Sequence, residues 1–158
     1  MDIQVVVTYR DHFFNRFVRW WGIKWTHAAI RYKDKGVWRV FETAALGTVE
    51  RSWEDFLVGV TEYETFTTKK KLTKTQELKL VSYAWGNVGK MYNVFVLIKI
   101  ALQYLFAGRK PQALNVTSHV CSSFTDACYN HIGVDLVKDV KWATPDDLAD
   151  SDLLERVK

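Results

Sequence analysis

Two cysteines, Cys121 and Cys128, are all that the 158 residues contain, with no C-x-x-C pair and no zinc-ligand spacing. That excludes a disulfide-stapled scaffold and the usual structural zinc sites. Were both cysteines on one helix, their spacing would put the Cα atoms about 10 Å apart, too far for a disulfide. No glycine-rich nucleotide loop, internal repeat or low-complexity linker occurs, so no cofactor is expected. The sequence opens Met1-Asp2-Ile3-Gln4 without a basic-then-apolar pattern, so no signal peptide is expected and a cytoplasmic or phage-associated location, or release by another route, is predicted. The longest apolar run, Tyr92 to Phe106, is interrupted by Lys99 and Gln103 and falls short of the roughly 20 residues that span a bilayer. No transmembrane segment is expected; the run reads as a buried helix, a hydrophobic lid or an amphipathic membrane-surface segment.

Charge is also modest. The formal net value is +4, with a local cluster at Lys69-Lys70-Lys71, Lys74 and Lys79. The basic residues do not interleave with aromatics, so a nucleic-acid module is not indicated, and the cluster reads as a solvated turn or helix start, with contact to an anionic polymer or membrane surface as the alternative. What the chain has in quantity is apolar material: 48% hydrophobic and 15% aromatic residues. This suits one well-packed domain over 1–158, of α+β class, with a small antiparallel sheet flanked by helices.

Ile3 to Tyr9 is short and β-branched, as a central strand is. Phe13, Phe14, Phe17, Val18 and Trp21 form a helical stripe that Asp11 can cap and Gly22 can end. Thr26–Tyr32 and Val37–Glu42 flank a turn at Asp34-Lys35-Gly36 and read as a hairpin. Gly47–Ser52 leads to a short helix capped by Ser52, and Thr61–Thr67 reads as a further strand. Thr73 and Gln76 fit a capping box for a helix carrying Leu78, Val81 and Trp85. Thr144 and Pro145 fit the N-cap and first position of a last short helix.

Ser118 to Cys128 is the stretch with chemical potential. Its small polar residues give way to Phe124, Ala127, Cys128 and His131 at helical spacing, with Cys121 at or just inside the helix start. Unpaired N–H groups and the helix dipole favour a thiolate there. Position alone leaves Cys121 open between a nucleophile and a small buried hydrophobe. A nucleophile needs a base, and the base an orienting partner. Of the four histidines, His12 reads as a surface or capping residue and His131 lies past the far end of the helix. His119 can line the site, and His27 opens a strand. A hairpin centred between Asp34 and Lys35 sets Glu42 directly across from His27, within reach of a carboxylate–imidazole contact. A surface His–Glu pair on an exposed face fits the same pattern.

The strand at Asp2-Ile3, the segments Trp25-Thr26-His27-Ala28-Ala29-Ile30 and Val40-Phe41-Glu42, and the late His119-Val120-Cys121-Ser122-Ser123-Phe124 resemble the circularly permuted branch of the NlpC/P60 papain-like superfamily, the YiiX/YaeF-type hydrolases. The closing Thr144-Pro145-Asp146-Asp147-Leu148 is similar to that family's Thr-Pro-x-x-Leu. The chain departs from the pattern at Ser123, at Thr43 and in Gly89-Lys90-Met91-Tyr92-Asn93. The resemblance implies a permuted papain-like fold and a cysteine amidase or peptidase, with Cys121 as nucleophile, His27 as base and Glu42 as orienting acid. Tyr9, Tyr92 and His119 are candidates for a second oxyanion donor or for site lining. Implied substrates are peptide, peptidoglycan-stem or lipid-linked amides, and implied settings are bacterial or phage. The same trio would serve an acyltransferase or thioesterase with Tyr92–Phe106 as an acyl channel. The scaffold would also serve a binding module gripping a partner through Trp20, Trp21 and Trp25. The helix that begins near Cys121 is expected to pack on the sheet, on the side that carries His27.

Overall fold

A computed structural model describes residues 1–20, 22–44, 47–90, 121–138 and 143–157. It is an α+β arrangement in which six strands form one antiparallel sheet in the order β4-β3-β2-β1-β5-β6. The strands are β1 (Ile3–Tyr9), β2 (His27–Asp34), β3 (Val37–Ala44), β4 (Gly47–Ser52), β5 (Glu62–Thr68) and β6 (Leu154–Arg156). The helices are α1 (Phe13–Trp20), α2 (Trp53–Leu57), α3 (Lys74–Trp85), α4 (Cys121–Asn130) and α5 (Pro145–Ala149). The segment 92–106 lies outside the described residues. No helix among the described residues is long and apolar enough to cross a membrane.

Both faces of the inner strands are covered, which is why Ile3–Tyr9 reads as a nearly continuous apolar run rather than an alternating one. One face, with Val5, Val7, Ala28, Ile30 and Phe41, buries Leu80 and Ala84 of α3, Phe124, Cys128 and Tyr129 of α4, and Leu148 of α5. The other face presents Val6, Ala29 and Val40 to Phe56 of α2, with Trp53 and Leu57 beside it. Each fully buried Phe or Leu here contributes about 1.5–3 kcal/mol from area removed from water.

Local signals set the helix starts. Ser52 accepts the Asp55 N–H at 3.0 Å. Thr73 with Gln76 and Thr144 with Asp147 form complete capping boxes, with Pro145 in the first turn. Ahead of α1, the Asp11 carboxylate is bound by Arg16 at 2.6 and 2.7 Å. Two helical stripes differ from expectation. The buried side of α3 is Glu77, Leu80 and Ala84, with Val81 packed at its margin. Leu78 and Trp85 are exposed, because the stripe that meets α4 lies one position away. On α4 the buried residues are Ser122, Phe124, Thr125, Cys128 and Tyr129. Thr125 can be buried because its hydroxyl donates to the Cys121 carbonyl at 3.1 Å. His131 is exposed past the end of α4 and stacks on Tyr83.

The hairpin register also differs from expectation. The β2–β3 pairs run from Asp34–Val37 to Ala29–Glu42, so the turn has two residues, Lys35 and Gly36, both at positive φ. Such a type I′ turn matches the twist of the strands it joins. Its centre lies one residue later than expected, and Glu42 therefore faces Ala29 rather than His27. The shift of two residues preserves the sheet face, because side chains alternate with a period of two.

Candidate active site

His27 is the first residue of β2, on the α2 face, with its ring 6.1 Å from that of Phe56. Glu42 shares this face, since it alternates with Phe41, which points into the opposite core. Although diagonal rather than opposite, the two meet: His27 Nε2 lies 2.7 Å from Glu42 Oε2. Only 3% of the Glu42 side chain is exposed. Its other oxygen, Oε1, is 2.8 Å from Nε of Arg51 on β4. Burial pushes the Glu42 carboxyl up, but the His27 hydrogen bond and charge, then Arg51 and Arg10, outweigh it and hold the group below its ordinary value.

Cys121 is the first residue of α4. The helix packs on the sheet as expected, but on the face opposite the one that carries His27 and Glu42. The expectation of a shared face is therefore corrected. The two groups meet at the sheet's end. The β2–β3 pairing stops at Ala29–Glu42, and Ala28, one residue beyond it, directs its N–H to the Cys121 sulfur, as does Ser122 at the helix start. The thiol is hydrogen-bonded to His27. Since Nε2 faces Glu42, the thiol is left to Nδ1.

The electrostatics follow from these contacts. Burial pushes the Cys121 thiol up, but the His27 charge and hydrogen bond and the two backbone N–H donors outweigh it and lower the pKa below its ordinary 9.0. Burial likewise pushes His27 down, yet Cys121 and Glu42 raise it from 6.5 to about 9. A thiolate beside an imidazolium, with a carboxylate behind the ring, is suited to nucleophilic attack on an acyl carbon. Cys128 differs: burial alone drives its thiol far above the ordinary value, so it is a packing residue.

Two ties hold the parts in place. The Ser122 hydroxyl donates to the Ala143 carbonyl, joining the start of α4 to the segment that enters α5. The Asp146 carboxylate of α5 accepts the Lys24 and Trp25 N–H groups at 3.1 and 2.9 Å, anchoring the loop that delivers His27. Sequence reasoning missed Arg51 and this role of Asp146. Arg51 becomes visible only once the β3–β4 register is known; Asp146 was met only as part of a helix start.

The remaining candidates fare differently. Tyr9 is buried in the α4-side core under the Arg19 guanidinium, 4.4 Å from its ring centroid. Tyr92 and His119 lie outside the described residues. Trp25 is buried and Trp20 is exposed, while Trp21 is outside the described residues.

The fold is thus an antiparallel sheet with a cysteine-headed helix packed at the end where a histidine strand begins. A solved structure of similar fold is the metalloprotein yiiX from Escherichia coli O157:H7, with a TM-score of 0.70 over 98% of this chain and 94% of that one. The sequences are 14% identical, so the likeness speaks to the fold. No family model matches the sequence, and no curated protein does.

Proposed function

We propose that the chain is a cysteine hydrolase that cleaves an amide bond, built as one permuted papain-like domain over 1–158. The observation that carries this reading is the Cys121–His27–Glu42 relay, in which a helix-start thiol, an imidazole and a buried carboxylate are hydrogen-bonded in series. In the resting pair the proton is on His27 and the charge on sulfur. The thiolate attacks the carbonyl carbon, and the carbonyl oxygen becomes an oxyanion. The Cys121 backbone N–H, at the start of α4, is the donor proposed to receive it. His27 gives its proton to the departing amine as the C–N bond breaks, leaving a thioester on Cys121. His27, now neutral, takes a proton from water; the hydroxide equivalent attacks the thioester, and the acid leaves as the thiolate is regenerated. Glu42 holds the ring orientation and stabilises the imidazolium throughout.

The yiiX structure is described as a metalloprotein. Among the described residues of this chain, no three His, Cys, Asp or Glu side chains converge to hold a metal. The His27 and Glu42 donor atoms are moreover engaged by each other and by Arg51. Among the described residues the donor set does not fit a metal, and no step above uses one. By the family resemblance, the substrates proposed are peptide, peptidoglycan-stem or lipid-linked amides.

The test is labelling with electrophilic amide-like and ester-like acyl probes, comparing native protein with Cys121→Ala. Stable acylation of native protein alone, followed by slow release of acid, supports the hydrolase. Transfer to an added amine in preference to water assigns an acyltransferase with the same residues. A native protein that no probe labels leaves a binding scaffold and overturns the proposal.

A further inference from the structure

We propose that Arg51 is a positioning residue that keeps Glu42 oriented and ionised for His27; this rests on the hydrolase reading above. Ala29 on β2 and Val49 on β4 both lie level with Glu42 on β3. His27 is two residues before Ala29, and Arg51 is two residues after Val49. Because β2 and β4 run in the same direction, the three polar side chains form a diagonal across three strands on one face, with Glu42 at its centre. Each carboxylate oxygen has its own partner, Oε2 with His27 at 2.7 Å and Oε1 with Arg51 at 2.8 Å. A carboxylate buried this deeply is expensive to keep charged without a cation beside it.

The other groups around Glu42 do not replace Arg51. Arg10, just past β1, acts on Glu42 at longer range and donates through Nη2 to the Phe56 carbonyl at 3.0 Å. On α2, Glu54 and Asp55 are exposed, and Asp55 is bound to Ser52. From α4 comes only the Cys121 thiol, which acts on His27. The same two strands carry a second Arg–Glu pair, Arg39 with Glu50, on the opposite face beside the Tyr32 hydroxyl. It has no histidine and is a built-in comparison.

The consequence concerns proton occupancy at low pH. Without Arg51, one of the charges that oppose burial is lost, and the Glu42 pKa moves up from its native position even with His27 in place. Once protonated, Glu42 no longer stabilises the imidazolium, and the thiolate loses its partner. The experiment follows the rate of Cys121 alkylation by iodoacetamide against pH, in native protein, Arg51→Gln, Arg51→Met, Arg51→Lys and Arg39→Gln, with circular dichroism on each. The acid limb should move up by about one pH unit or more in the two neutral Arg51 variants. It should stay near native in Arg51→Lys, and stay unmoved in Arg39→Gln even where that variant melts earlier. A folded Arg51→Gln or Arg51→Met with the native limb overturns the inference. So does loss of folding in both neutral variants, which would assign Arg51 to stability alone. A native protein whose Cys121 is unreactive near neutral pH rejects the hydrolase reading instead, so the two failures are told apart.

Discussion

His27 and Cys121 approach each other from opposite faces of one sheet and meet just past the last β2–β3 pair, Ala29–Glu42. Had the ladder continued one residue further, the Ala28 N–H would have been committed to β3. Ending it there frees a donor for the sulfur and opens the space through which the thiol reaches the ring. The end of the ladder thus contributes to lowering the thiol pKa, together with His27 and the helix start.

This environment separates the two cysteines. Brief exposure to iodoacetamide near neutral pH should modify Cys121 and leave Cys128 unmodified in the folded protein, because Cys128 is fully buried with a raised pKa. Peptide mass mapping reads the ratio. Equal, slow modification of both would show that the environment of Cys121 does not activate it.

The pH dependence has a definite sign. Acylation needs the thiolate, present above the lowered Cys121 pKa, and the imidazolium, present below about 9 for His27. Single-turnover acylation should therefore follow a bell whose alkaline limb lies near 9, belonging to the coupled pair. Glu42→Gln removes one of the charges that raise His27, so the alkaline limb should move down toward 6.5 and the maximal rate should fall roughly 10- to 10⁴-fold. Glu54→Gln, at an exposed site on α2, is the control and should behave as native. Glu50→Gln is a test of stability, since Glu50 binds Arg39 and Tyr32. A folded Glu42→Gln protein with the native profile would reduce the site to a Cys121–His27 dyad.

The hairpin turn offers a stability prediction. Lys35 sits at φ 47°, a left-handed conformation that Asn and Gly adopt more readily than Lys. Lys35→Asn should stabilise the protein by a few tenths to about 1 kcal/mol, seen as a higher denaturant midpoint with an unchanged slope. A lower midpoint would contradict the two-residue turn.

That turn also shows how far the sequence could be read. Five of the six strands and the capped helices were legible because alternation, β-branching and the Ser52, Thr73 and Thr144 caps are local signals; β6, only three residues long, carries no such pattern. Glu42 was found through the right face but the wrong partner: period-two alternation tolerates a two-residue error in register, and a loop with Asp34, Lys35 and Gly36 does not declare its centre. The α3 stripe was misplaced because Leu78 and Trp85 are apolar yet exposed, and only the packing partner α4 decides which side is buried. Arg51 required the register of a second hairpin. The meeting of Cys121 with His27 around the sheet's end depends on where pairing stops, which no residue pattern marks.

The central claim is that His27 activates Cys121, and its most direct measurement is the ultraviolet absorbance of the Cys121 thiolate against pH. Native protein and His27→Ala are compared, with Cys121→Ser as the blank. The native thiolate should be present at neutral pH and vanish only well below the ordinary thiol value of 9.0. In His27→Ala it should appear only as pH approaches or exceeds that value, since burial then acts without the imidazolium to offset it. Titration of Cys121 near 9.0 in both proteins would contradict the account.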